Sequence, residues 1–269
     1  MAEVDFFAED PGRYERFKQE FTAQHVIDDV IDVLLERHGD ALIPRGGEER
    51  DLSRLVAGFC FAKAHKTFQA TQRLCALGFG EDAVLLLRSN INLLINMYFI
   101  LKSDEPVERC EEFIAYSISE RKRYLDEAHK GQQPQWMKRI GAEKLDEMKL
   151  RGNKWKGVKI NKRAESMGTG ACLLHYRQGY RFYSSLEHAD VMALVGYMDE
   201  NETGLMLSSA VRDDYIGLVL VHNYLVMADL LVATINYFGV QCPDLVEKLS
   251  TTYKALDDRY AQDRQSTPQ

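Results

Sequence analysis

Apolar residues recur at three- and four-residue steps along most of this chain, the period of an amphipathic helix. From Gly12 to His38 the positions Tyr14, Phe17, Phe21, Ile27, Val30, Ile31, Leu34 and Leu35 carry that period, and Gly39 ends it. A loop from Ala41 to Arg50, with Pro44, Gly46 and Gly47, separates this helix from a second, where Leu52, Leu55, Val56, Phe59, Cys60, Phe68, Leu74 and Leu77 repeat the pattern up to Gly78. The stretch from Glu81 to Lys102 is apolar on nearly every side and predicts a helix surrounded by others. Asp104 and Pro106 start an amphipathic helix from Val107 to His129, closed by Gly131 and Pro134. Arg212 to Phe238 reads as a second deeply buried helix, and Pro243 opens a last one from Asp244 to Tyr260.

The segment between these long helices is less regular. Residues 135–163 have weak helical spacing at Trp136, Ile140, Leu145 and Met148, then a loop around Gly152 and Gly157, so they read as an excursion from the bundle. A short helix resumes at Lys162 and breaks at Gly168. Thr169 to Glu187 predicts a tyrosine-rich helix with Tyr176, Tyr180 and Tyr183. Asp199 to Gly204 is a polar turn between two partly alternating stretches, either a small β-hairpin or a loop. The fold expected is an all-α bundle of about seven to eight helices, forming one domain over residues 1–262 with a polar tail over 263–269.

Composition narrows the class. With 269 residues, 45% of them hydrophobic, the chain is long enough for one sizeable core. The apolar stretch from Tyr215 to Phe238 contains His222, Asn223, Asp229 and Asn236, which argues for a protein core and against a lipid-facing span. Glu3, Asp5, Glu9 and Asp10 stand where a secretory leader needs basic and then apolar residues, so a cytoplasmic location is expected. Five cysteines, odd in number and never spaced C-x-x-C, indicate neither a disulfide framework nor a thiolate zinc site. The formal charge of −7 gives the whole molecule no attraction for nucleic acid. Locally the balance reverses. Lys138, Arg139, Lys144, Lys149, Arg151, Lys154, Lys156, Lys159, Lys162 and Arg163 face only Glu143, Asp146 and Glu147. With Trp136 and Trp155 interleaved, this segment is a candidate grip for an RNA or protein partner, through Lys154, Trp155, Lys156, Lys159 and Arg163. The bland alternative is a solvated face.

Two segments carry a family resemblance: Leu87 to Leu94 (LRSNINLL) leading to Tyr98, and Trp155, Lys156 and Gly157 through Ile160 and Arg163 to Gly168, followed by Tyr180, Ser184 and His188. Together they resemble a bacterial all-helical domain family of unknown function, over roughly Leu74 to Phe238. That family often has a glutamate where this chain has Asn92. The resemblance implies a helical fold and no particular chemistry.

Two constellations bear on chemistry. Arg88, Asn92 and Asn96 lie at i, i+4 and i+8 and form one polar seam on a buried helix. On the other buried helix Tyr215, His222, Asp229 and Asn236 recur every seven residues, and Asp229 is the expected mate of Arg88. With Tyr180, these residues make a candidate ligand pocket or a network that only fixes packing. Second, Arg181 and His188, with six residues between them, resemble the pair of the higher-eukaryote-and-prokaryote nucleotide-binding (HEPN) ribonucleases. That likeness implies a homodimer cutting RNA without metal, with His188 moving the proton and Arg181 steadying the phosphate. Phosphate-binding, dinucleotide, zinc-protease and serine-hydrolase motifs are missing from the sequence, and no cofactor or metal is expected. The first reading is therefore a ligand- or partner-binding module, with the ribonuclease as its rival.

Overall fold

In a computed structural model of the protein, residues 10–42, 51–128, 142–187, 198–201, 204–207 and 213–266 are described. The fold is all-α. Helix α1 (Pro11–Arg16) begins at the Asp10 cap, whose carboxylate accepts the Gly12 N–H, and passes at Phe17 into α2 (Lys18–Leu42). Then come α3 (Asp51–Ala76), α4 (Gly80–Leu101), α5 (Pro106–Ala128) and α6 (Ala142–Gly157). The short α7 (Ile160–Ala164) and a 3₁₀ turn (Glu165–Met167) lead to α8 (Thr169–Ala171). A π-helical segment (Cys172–Tyr180) follows and runs into α9 (Arg181–Glu187). The bundle is completed by α10 (Ile216–Phe238) and α11 (Pro243–Ser266), so the last helix continues into the stretch expected to be a tail. Of the two options for the polar turn, the hairpin is the one formed: β1 (Met198–Asn201) pairs antiparallel with β2 (Gly204–Leu207), Met198 opposite Leu207.

The two all-round apolar helices are the centre of the bundle. Leu87, Ile91, Leu94 and Ile95 of α4 and Val219, Leu220, Val226, Leu230 and Leu231 of α10 are fully buried. Both helices are long and apolar enough to cross a bilayer; here 56% and 61% of their apolar windows lie inside the bundle. They run in the same direction. Gly80 meets Asp214 and Ile216 at one end, too closely for any Cβ, and Tyr98, Leu101 and Lys102 share a cleft with Ala233, Asn236 and Tyr237 at the other. Helix α10 begins at Ile216, later than the pattern predicts, because Tyr215 has a left-handed backbone (φ 63°) that stops the helix from extending backwards. Arg13 is held at 2.6 Å from Asp213, and Arg16 also pairs with Asp213, pinning α1 beside that start.

The largest departure from expectation is α6. Read as a loop-broken excursion, it is a helix of 16 residues packed along α5. Gly152 explains the contact, since a Cβ there would come within 2.9 Å of the Tyr116 backbone. The glycine that suggested a loop is a close-packing position. One turn on, Trp155 is fully buried between Phe99 and Phe113, at centroid distances of 5.4 and 5.1 Å.

Candidate functional site: a buried histidine pair and an arginine seam

The segment from α7 to α9 runs antiparallel to α4: Arg163 meets Asn96 near one end and Tyr180 meets Arg88 near the other. Its middle is π-helical over nine residues, a geometry rare at any length and frequent at functional sites. Wider turns put His175, Gly179 and Tyr183 against α10, and Tyr176 and Tyr180 toward α4.

On the α10 side these residues complete a chain of four polar side chains. His175 Nε2 lies 2.7 Å from Asp229 Oδ2, His175 Nδ1 lies 3.1 Å from His222 Nε2, and His222 Nδ1 lies 3.0 Å from the Tyr183 hydroxyl. With both imidazoles uncharged, a single proton assignment satisfies every link. The Tyr183 hydroxyl donates to His222 Nδ1, His222 Nε2–H donates to His175 Nδ1, and His175 Nε2–H donates to the Asp229 carboxylate. Both imidazoles are then neutral, with all donors pointing toward Asp229. Burial, with His175 second, pushes His222 down to about 3, and burial raises the Tyr183 hydroxyl far above its ordinary range. The chain leads inward from Asp229, whose side chain is 40% exposed, to Tyr183 at 1%. Gly179 makes room for it, because any Cβ there would overlap the His222 ring. Two turns beyond Asp229 on α10, a cleft of about 280 Å³ opens between Tyr98, Lys102, Asn236 and Tyr237. Burial, with the Asp229 charge added, pushes the Tyr98 hydroxyl up to about 12.

On the α4 side, Arg88 donates from Nη2 to the Tyr180 hydroxyl at 3.2 Å, its guanidinium 4.8 Å from the ring centre. Tyr180 stacks in turn on Tyr176 at 5.8 Å. The pairing expected between Arg88 and Asp229 is not formed: Asp229 is the partner of His175, and Arg88 turns to the opposite face of the π segment. At the far end of the seam Asn96 accepts from Arg163 Nη1 at 2.9 Å. Arg163 also donates from Nε to the Val158 carbonyl at 2.9 Å and from Nη2 to the Trp155 carbonyl at 3.0 Å, and lies 4.4 Å over the Trp155 ring. Burial lowers its pKa, opposed by Tyr116 and Tyr180. Asn92, midway between Arg88 and Asn96 on α4, is half-buried.

Of the sequence-predicted residues, then, Arg88 and Tyr180 come together, as do His222 and Asp229, with Asn96 drawn into the first group by Arg163. Arg181 is exposed at the start of α9, and His188 and Trp136 lie outside the described residues. Within the expected nucleic-acid grip, the role of Trp155 needs correction. The Trp155 indole has no exposed face on which a base could stack, and Arg163 caps backbone carbonyls. Lys154 and Lys156 pair with Glu108 and Glu120 of α5 at 3.3 and 3.5 Å, Arg151 pairs with Glu111 and Glu147, and Lys159 is exposed. The local basic excess is thus offset by acids that sequence position had kept apart. All five cysteines are free and buried. Among the described residues no three His, Cys, Asp or Glu side chains are placed to hold a metal.

Sequence reasoning missed His175, Gly179 and Tyr183. Their spacing by four puts a histidine, a glycine and a tyrosine on one helical face, and that was the available signal. An all-α bundle with a polar chain threaded through its core is the class these features define. The model of a family of unknown function, DUF5677, matches residues 54–205, and the chain belongs to that family. The match covers the Arg88 seam and the π segment and stops before α10, which supplies His222 and Asp229. No curated protein and no solved structure matches the chain.

Proposed function

We propose that the protein is a binding module that holds a small polar ligand in the seam between α4 and the π segment. The observation that carries this reading is the π segment itself. One face is fixed to α10 by His175 and Gly179, while on the other Tyr180 meets Arg88 and stacks on Tyr176, both tyrosines being half-buried. A rare backbone form, anchored behind and polar in front, is how a scaffold preorganises side chains for a ligand.

The test is a thermal-shift screen of the purified protein against neutral sugars, amines, carboxylates and phosphates, run in parallel on Asn92→Leu. Stabilisation of the wild type by at least one group, lost in the variant, is the expected result. Equal response of both proteins, or none to any group, overturns the reading. The rival, RNA cleavage by Arg181 and His188, draws support from the exposure of Arg181. It requires cleavage of single-stranded or structured RNA in chelator that disappears in His188→Ala.

A further inference from the structure

We propose a second site, separate from the seam, in the cleft of about 280 Å³ where α4 and α10 end side by side, with an amino acid of short apolar side chain as its ligand. Its walls are Tyr98, Leu101 and Lys102 of α4 and Ala233, Asn236 and Tyr237 of α10. That volume lies just under the range of roughly 300–1,000 Å³ for drug-sized pockets, so it suits a molecule of amino-acid size better than a nucleotide. Among the described residues, the Tyr98 hydroxyl, the Lys102 ammonium and the Asn236 amide make no side-chain hydrogen bond or ion pair. The Tyr237 hydroxyl is already given to Ser53, which leaves Tyr237, Leu101 and Ala233 as apolar surface. A few free polar groups over an apolar floor are the usual make-up of a small-molecule site.

Charge sets the class. A ligand with only negative charge is opposed from two directions. Both helices turn the negative ends of their dipoles toward the cleft, α4 at Leu101 and α10 at Phe238. Asp229 stands one turn before Ala233 on the same face of α10, its side chain 40% exposed. A ligand with only positive charge meets Lys102, the one charged residue among the described residues that line the cleft. A zwitterion satisfies both. Its ammonium goes to the helix ends, where the Asn236 carboxamide oxygen and the tyrosine rings add to the attraction. Its carboxylate goes to Lys102 and the Tyr98 hydroxyl, which stays protonated because burial, with Asp229 second, pushes it up to about 12. Its side chain covers Leu101 and Ala233.

The test titrates the full chain by calorimetry with leucine and with its two halves: 4-methylpentanoate, which lacks the ammonium, and 3-methylbutylamine, which lacks the carboxylate. Saturable binding of leucine is expected, about tenfold tighter than either half. Lys102→Met, at an exposed position where folding is not at stake, brings leucine down to the level of the amine and does not weaken the amine. Ala233→Leu fills the floor and abolishes leucine binding with the helical circular dichroism spectrum intact. Asn92→Leu, which alters the seam, leaves it unchanged. No binding of leucine, binding no tighter than that of its halves, or equal affinity in Lys102→Met or in a folded Ala233→Leu overturns the proposal. Binding that is lost in Asn92→Leu and kept in Lys102→Met overturns it too, and places the amino acid in the seam, where it supports the binding module.

Discussion

Around His222 the polar atoms are inside and apolar side chains wrap them, whereas between α5 and α6 an indole is inside and the charges ring it. Tyr183, His222 and His175 are nearly or wholly inaccessible, yet each is hydrogen-bonded within one directional chain, so burial strands none of them. At the hairpin of α5 and α6, Trp155 fills the contact, and Arg151, Lys154 and Lys156 meet the acids of α5 at its edge. The first region trades simple packing for a specified geometry. The second gains ordinary hydrophobic burial, and its ion pairs add little because they are solvated.

The sharpest way to break that contrast is to hollow the second region. Trp155→Ala removes the residue on which Phe99, Phe113 and Arg163 all rest, and is expected to cost about 3–5 kcal/mol in chemical denaturation. A loss below about 1 kcal/mol would mean that α6 is not held by this contact.

The first region is better probed by acid. His222 is held down to about 3, against 6.5 for an ordinary histidine, so the folded chain keeps it neutral where the unfolded chain takes up a proton. Its contribution to stability is complete above about pH 6.5 and is lost as pH falls from there toward 3, on the order of 5 kcal/mol in all. Denaturation midpoints measured between pH 7 and 4 should fall more steeply for the wild type than for His222→Gln. Parallel slopes would show that the chain is not the acid-sensitive element.

The two regions also differ in how far sequence discloses them. The long helices, their order and the central position of α4 and α10 follow from apolar period, because burial on all sides leaves a direct trace in composition. Arg88 and Asn92 were legible as a seam because polar residues stand out on such a helix. The partner of Asp229 was not. Two lone charges on two buried helices suggested each other, but the directions of side chains around a bundle depend on the crossing of helices, which no periodicity encodes. His175 escaped notice because a histidine in an amphipathic helix is unremarkable until the π turn carries it inward. The α5 and α6 hairpin misled in the opposite sense: local composition looked basic since its acids lie some forty residues earlier, as in the Arg151 and Glu111 pair.

A steric test of smaller expected size addresses the fit of the π segment. Gly179→Ala puts a methyl into the His222 ring and should destabilise by about 1–3 kcal/mol, the usual range for overpacking. Combining it with His222→Ala supplies the room, so the two costs should fall well short of additive in a double-mutant cycle. Strict additivity would place the strain in the π backbone instead of the ring contact.

The smallest effect is expected on the outer face of the hairpin, and it decides what that face is. The side chains of Lys154 and Lys156 are 63% and 57% exposed, so their pairs with Glu108 and Glu120 are screened by water and salt. Replacing both lysines by glutamine should leave the thermal midpoint unchanged within error. The neighbouring cleft of about 390 Å³ is lined by both signs of charge, Lys122, Arg123 and Lys149 against Glu120, Glu127 and Asp146, so no uniform field builds up for a phosphate backbone to follow. Fluorescence anisotropy with a labelled single-stranded RNA at 50 and 200 mM salt, between which the Debye length falls from about 14 to about 7 Å, should therefore give the same weak signal for wild type and variant. An affinity that falls steeply with salt in the wild type and is lost in the variant would return this face to the role its composition suggested. It would also show that paired lysines exchange their carboxylates for phosphates at little cost.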